Sequence, residues 1–129
     1  MSRRSGLGRL LRRAEFLAVA GARRKTALPG LVLQTRQWRP AESGDDCLIR
    51  VGYTASRRVG SAVERNRARR RLRAAAQEIL PLRAAHRHDF VLIARAGTNS
   101  RPFGALKQDL AMALQRVGAD RKAEAETVE

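Results

Sequence analysis

Apolar residues recur along this chain with two periods, one near 3.6 and one of 2, and the alternation between them predicts its elements. From Leu10 to Ala22 the spacing is helical. Leu10, Ala14, Leu17 and Gly21 fall near one side, Phe16 and Ala20 pair at i,i+4, and Gly21 is a reasonable stop. Leu31 to Trp38 alternates as a strand, with Leu31, Leu33 and Thr35 on one face and Val32, Gln34, Arg36 and Trp38 on the other. Arg39 to Cys47, with Pro40 and Gly44, reads as a turn or loop. Leu48 to Ser56 is a second strand: Ile49, Val51, Tyr53 and Ala55 make its apolar face, and Arg50, Gly52, Thr54 and Ser56 its polar one.

The helical period returns at Ala62 and runs to about Leu80, gathering Ala68, Leu72, Ala75, Ala76 and Ile79 on one side. Ser61 and Glu64 fit the capping-box spacing at its start, and Pro81 is expected to end it, leaving Pro81 to His88 as a connector. Phe90 to Ala94 is too short for a helix and suits a well-buried strand. Gly97 to Pro102 is a turn cluster. Pro102 opens a last helix with Phe103, Leu106, Leu110, Ala113, Leu114 and Val117 as its stripe, and Gly118 ends it. These elements predict an α+β fold with helices packed on one sheet. The expected organisation is a flexible segment over 1–8, a single domain over 9–117 and a disordered tail over 118–129.

Charge changes the picture most between Arg57 and Arg73. Eight of these seventeen residues are arginine, and Glu64 is the one acid among them. Such a run cannot enter a core, because a buried unpaired guanidinium is strongly unfavourable. On the predicted helix, Asn66, Arg67, Arg70 and Arg73 lie opposite the apolar stripe, flanked by Arg69 and Arg71, with Arg65 nearer the stripe. Cations near a helix N-terminus oppose the macrodipole and repel one another. A polyphosphate partner resolves both conflicts, since guanidinium forks and helix N-termini favour phosphate. Across the chain the 129 residues carry a net charge of +15, with arginine outnumbering lysine 24 to 3. The charge favours nucleic acid over a membrane surface, and the arginine excess suits RNA, although genomic base composition would produce the same bias.

Other chemistry is sparse. The single cysteine, Cys47, excludes an internal disulfide and a cysteine-based zinc cluster. His86 and His88 precede Asp89, but no further Cys or His completes a zinc site, so both read as solvated connector histidines. Glu15, Glu78, Asp89 and Asp109 sit on different predicted elements, with no carboxylate pair for two-metal chemistry. No apolar segment is long enough to span a bilayer. The run Phe16 to Ala22 is short and follows Glu15 directly, so the arginine-rich beginning reads as part of a mature, cytoplasmic protein.

The block from Arg50 to Arg73, RVGYTASRRVGSAVERNRARRRLR, closely resembles the protein component of bacterial ribonuclease P. A strand ends in a small residue and two basics, then Val59-Gly60, then the Arg65-Asn66-Arg67 core. Arg9-Leu10 with Glu15-Phe16 resembles the family's first helix, and Asp89 to Arg95 its last strand, so the resemblance runs from about Arg9 to Val117. It implies about four strands and three helices in the order α-β-β-β-α-β-α, with a left-handed βαβ crossover. The fourth strand would lie near Lys25 to Gly30 or be a bend of the first.

The resemblance also implies a ribonucleoprotein that removes the 5′ leader of precursor tRNA. The catalytic RNA subunit, with bound Mg2+, would perform the hydrolysis. The protein would bind that RNA and the leader, with no catalytic side chain, no metal held by the protein and no protein partner required. Carried over, Arg65, Asn66, Arg67, Arg69, Arg70 and Arg73 would contact the RNA subunit. Phe16, Thr54, Ser56, Arg58 and Arg36 would line the leader cleft. Two family aromatics are replaced, by Ala20 and Gln34; Trp38 shares the latter's face, either as a substitute stacking ring or as an ordinary hydrophobe beside the loop. A ribosomal or RNA-chaperone protein is the alternative that composition permits. A basic-region zipper needs leucine heptads that Pro81 cuts off.

Overall fold

A computed structural model describes residues 7–43 and 47–121. The elements are β1 (Gly8–Arg9), α1 (Arg13–Gly21), β2 (Arg24–Leu28), β3 (Leu31–Gln37), β4 (Ile49–Thr54), α2 (Ala62–Arg83), β5 (His88–Ala94) and α3 (Phe103–Arg116), with single 3₁₀ turns at Arg57–Val59 and Thr98–Ser100. They build one five-stranded mixed sheet in the order β1-β4-β5-β3-β2. β2 and β3 form a hairpin, β3 runs antiparallel to β5, and β4 pairs with β5 in parallel, Arg50 beside Asp89.

Alternation sorts the strands into two faces. Leu31, Leu33, Ile49, Val51, Phe90, Leu92 and Ala94 point into the main core. There they meet Ala68, Leu72, Ala75, Ala76 and Leu80 of α2 and Leu106, Leu110, Ala113 and Leu114 of α3. The other face carries α1, where Leu10, Val19 and Val91 form a second, smaller core with Phe16 and Ile93 against it. α2 starts as its sequence predicts: Ser61 Oγ accepts from the Glu64 amide at 3.2 Å and Glu64 Oε1 accepts from the Ser61 amide at 2.7 Å. Gly60, at φ 142°, makes the turn that L residues rarely adopt.

Several expectations are corrected. The fourth strand is β2, and a fifth, β1, begins at Gly8, inside the segment expected to be flexible; Gly8 pairs with Arg50. α1 starts at Arg13 because Leu10 is spent on the sheet, donating its amide to the Val51 carbonyl at 3.1 Å. Its buried side is therefore Val19 with Phe16, while Leu17 is exposed. α2 passes through Pro81 to Arg83. In the last turn a proline forfeits one donor, and the Ala84 amide still reaches the Leu80 carbonyl at 2.9 Å.

The segment after α3 holds that helix end in place. Arg83 pairs with Asp120 at 2.8 Å, the Ala85 amide donates to the Ala119 carbonyl at 2.8 Å, and Arg121 donates to the Pro81 carbonyl. Ala119 and Asp120 are buried, so order extends past the expected boundary at 117; residues 122–129 lie outside the described residues. His88 is the buried first residue of β5 rather than a connector histidine, its ring stacked on Phe90. No helix among the described residues is long and apolar enough to cross a membrane.

Under α1 lies a buried carboxylate. Asp89, 1% exposed, accepts from Arg50 Nε at 2.8 Å and Nη2 at 2.9 Å, from Arg36 Nη2 at 3.1 Å and from Trp38 Nε1 at 2.7 Å. The Arg50 and Arg87 guanidiniums sit 5.4 and 5.5 Å from the Trp38 ring centroid. Arg36 also pairs with Glu42 at 3.0 Å, and Arg50 reaches Glu15 at 3.5 Å. Glu15 caps α1, its Oε1 accepting from the amides of Leu11 and Arg12 at 2.8 Å each. The chain Glu15–Arg50–Asp89 thus ties the start of α1 to two central strands.

Removing Asp89 would strand two arginines below α1. Asp89→Ala should cost about 3–5 kcal/mol of unfolding free energy, read as a lowered urea midpoint; an unchanged midpoint would contradict the network's structural role. Glu15 supplies a pH dependence. The Arg12 amide first, then the Leu11 amide, hold its carboxyl below the ordinary value of 4.5. A lowered folded value stabilises above the ordinary range and is lost as pH falls through it. Glu15→Gln should lower the melting temperature at pH 7, and the difference should shrink as pH falls below the ordinary carboxylate range. A constant difference across that range would contradict this assignment.

Candidate nucleic-acid interface

Two surfaces carry the predicted residues. The first is the outer side of α2. Asn66, Arg67 and Arg70 are exposed there, in a helix whose opposite side is fully buried. The other three are held more closely. Arg65 donates to the Gly60 carbonyl at 2.9 Å, folding back over the capped turn. Arg69 donates to Asn66 Oδ1 at 2.5 Å, fixing that amide at the surface. The Arg73 guanidinium lies 5.3 Å from the Tyr53 ring centroid, so Arg73 turns toward β4. Arg71, a flanking residue by sequence, is tied to the turn before α3 through the Arg101 carbonyl.

The second surface is the side of the sheet under α1. The Phe16 ring rests on Gly52: a Cβ at that glycine would come within 2.5 Å of Phe16 Cζ, so β4 is open at this point only because residue 52 has no side chain. Thr54 continues the same face, half-buried beside Ile93. Ser56 and Arg58 are exposed just beyond, where Ser56 Oγ accepts from the Arg58 amide at 3.3 Å and starts the 3₁₀ turn. Phe16, Thr54, Ser56 and Arg58 therefore follow one path from α1 to the end of β4.

Arg36 does not belong on that path as a free cation. Its guanidinium is divided between Asp89 and Glu42, and its side chain is largely covered. Trp38, 5% exposed and bonded to Asp89, is a buried hydrophobe with a satisfied N–H. It supplies no stacking surface in place of the aromatic that Gln34 replaces.

Sequence reasoning missed the roles of Arg50 and Glu15, and of Arg9 and Arg12. Arg9, Arg12, Glu15 and Arg50 surround a depression of about 330 Å³ between the start of α1 and β4. The available signal was a charge on the inner face of each central strand, Arg50 and Asp89, at a matching parallel register. Tyr53, beside Arg73 and Arg9, is pushed up to about 12 by burial, against the opposing pull of those two arginines. It is a neutral phenol in any physiological setting. Among the described residues no cluster of three or more His, Cys, Asp or Glu could hold a metal ion.

The described surfaces thus offer cations, hydroxyls and one half-buried aromatic, in two places. Comparison with known proteins supplies the family. The family model described as Ribonuclease P matches residues 6–118. The ribonuclease P protein component of Paramagnetospirillum magneticum (strain ATCC 700264 / AMB-1) is 50% identical over 119 residues, covering 92% of this chain and 89% of that protein. The one from Caulobacter vibrioides (strain NA1000 / CB15N) is 45% identical over 112 residues, covering 87% and 72%. Among solved structures, the Staphylococcus aureus RNase P protein superposes with a TM-score of 0.64 at 20% identity, over 83% of this chain and 92% of that one. The Thermotoga maritima protein gives 0.64 at 21% identity, over 79% and 90%. The matched region contains both arginine-bearing surfaces and the whole sheet between them, and the chain belongs to the ribonuclease P protein family.

Proposed function

We propose that this protein is the RNA-binding subunit of ribonuclease P, and that its two surfaces hold two different RNAs during removal of the 5′ leader from precursor tRNA. The observation that carries the reading is the exposed Asn66, Arg67 and Arg70 on a capped helix, inside a family match that spans the domain. This outer side of α2 takes the phosphates of the catalytic RNA subunit. Arg65 and Arg69 support it, the first by bracing the capped turn and the second by orienting Asn66.

The α1 side of the sheet takes the single-stranded leader. Phe16 offers one ring face, since the other lies on Gly52, and Thr54, Ser56 and Arg58 supply hydrogen bonds and charge beyond it. Arg36 acts from below by holding Asp89 and the loop through Glu42. With Ala20 and Gln34 in place of aromatic residues, leader binding rests more on charge than on stacking. Hydrolysis belongs to the RNA subunit and its Mg2+, and the setting is cytoplasmic. The ribosomal or RNA-chaperone alternative rested on composition, and the family match removes the reason to prefer it.

The reading is tested by reconstituting the holoenzyme with its cognate RNA subunit. Each phosphate that the protein ceases to neutralise should flatten the slope of log affinity against log salt by up to about 0.9. Arg67→Ala and Arg70→Ala should each do so for the RNA subunit; an unchanged slope in both would move that interface elsewhere. Phe16→Ala should weaken precursor tRNA binding roughly tenfold, near the lower end of stacking energies, while mature tRNA binding stays the same. Equal weakening for both substrates would refute the leader assignment.

A further inference from the structure

One cleft adjoins the first surface. About 750 Å³ of open space lies between the C-terminal half of α2 and the β1–β4 edge of the sheet. Its walls are apolar or aromatic: Leu7, Tyr53, Pro81 and Leu82. Leu82 is 78% exposed, a large hydrophobe that the packing of the domain does not use. Arg9 stands on the strand side of the opening and Arg73 on the helix side.

The cleft is continuous with the exposed arginine face. Asn66, Arg70, Arg73, Gln77 and Pro81 follow one another at i+3 and i+4 positions, which form one row along a helix. From Asn66 to Gln77 that row rises about 16 Å. Its first members face solvent, and its last three line the cleft. The character of the row changes on the way, from an amide and a cation in solvent to a cation lying over an aromatic ring. Glu78, the acid at the cleft, is engaged by Lys107 at 2.9 Å, so its charge is compensated from α3.

Cationic lips above aromatic and apolar walls suit an unpaired nucleotide. A base can lie on a ring or an aliphatic surface, a guanidinium can take the phosphate, and an amide such as Gln77 can meet a base edge. An acidic protein segment would match the lips but would gain little from Tyr53. We propose that this cleft binds one unpaired nucleotide of the RNA subunit, its base against Tyr53 and Leu82 and its phosphates on Arg9 and Arg73. The assignment rests on α2 being the face that meets the RNA subunit, and it adds to that face a pocket able to select a single-stranded position.

The test uses the reconstituted holoenzyme with full-length protein and base-specific chemical modification read at each nucleotide. Leu82→Glu places an anion at the mouth of the cleft on an exposed position, and circular dichroism verifies that the variant is folded. In the wild-type complex one unpaired base of the RNA subunit should be shielded. In Leu82→Glu that base should become reactive, with RNA affinity reduced roughly 3- to 10-fold, while protections that depend on Arg67 and Arg70 persist. The proposal is overturned if no base changes, if all protections weaken together as a general charge effect would cause, or if the base that changes belongs to precursor tRNA. If Arg67→Ala and Arg70→Ala leave RNA affinity and its salt slope unaltered, the parent reading fails. If they weaken binding and Leu82→Glu exposes nothing, only the cleft assignment fails.

Discussion

A carboxylate buried between two central strands and a helix sets the terms for the rest of this structure. Asp89 sits at the second residue of β5, followed by the apolar run Phe90 to Ala94. A charge there is tolerable only with several donors aimed at it, and Arg36, Arg50 and Trp38 provide them from β3, β4 and the end of β3. Because Arg50 also meets Glu15, the same arrangement fixes where α1 begins. The position of Phe16 over Gly52 follows from that placement. The path proposed for a leader is therefore set by ion pairs lying beneath it.

The arginines of this chain divide by employment. Arg24 donates to the Val117 carbonyl, Arg95 to the Leu28 carbonyl and Arg87 to three carbonyls of the loop after β3, joining distant segments as hydrogen-bond staples. Arg57, Arg58, Arg67 and Arg70 stand exposed. Net charge alone overstates the cationic surface in direct contact with RNA, though it describes the long-range field correctly. The guanidinium serves both purposes because its planar fork satisfies carbonyls as readily as phosphates.

Much of the architecture was legible in the sequence. The stripes of α2 and α3, the alternation of β3 and β4 and the Ser61–Glu64 cap appear where periodicity placed them, because each is decided by local geometry, except that Leu80 rather than Ile79 closes the buried side of α2. The failures have a shared cause. Counting Leu10 into the stripe of α1 puts the wrong face inward, because Leu10 bonds to β4 in a register no local pattern reveals. β1 has two residues, too few to show a period. Arg36 and Trp38 fell on the correct face by alternation, yet their engagement depends on Asp89, over fifty residues away. The solvent-exposed residues of α2, Asn66, Arg67 and Arg70, were readable because exposure is the complement of a visible stripe. The turn of Arg73 toward Tyr53 was not, since it depends on how the helix sits across the sheet.

The strand order has a kinetic consequence. β3 and β4 follow one another in sequence, but each pairs with β5 and neither with the other. On emergence from a ribosome the chain can close the local β2–β3 hairpin and wind α2, while the sheet's centre is still unsynthesised. No strand pairing unites the hairpin with β4 until the residues of β5 are available. Cooperative assembly is thus deferred until about three quarters of the chain has been made, and loop closures on that scale are slow and leave strand edges unpaired. In that interval a strongly cationic chain keeps its own segments apart by repulsion, which would protect a late-assembling sheet from premature association.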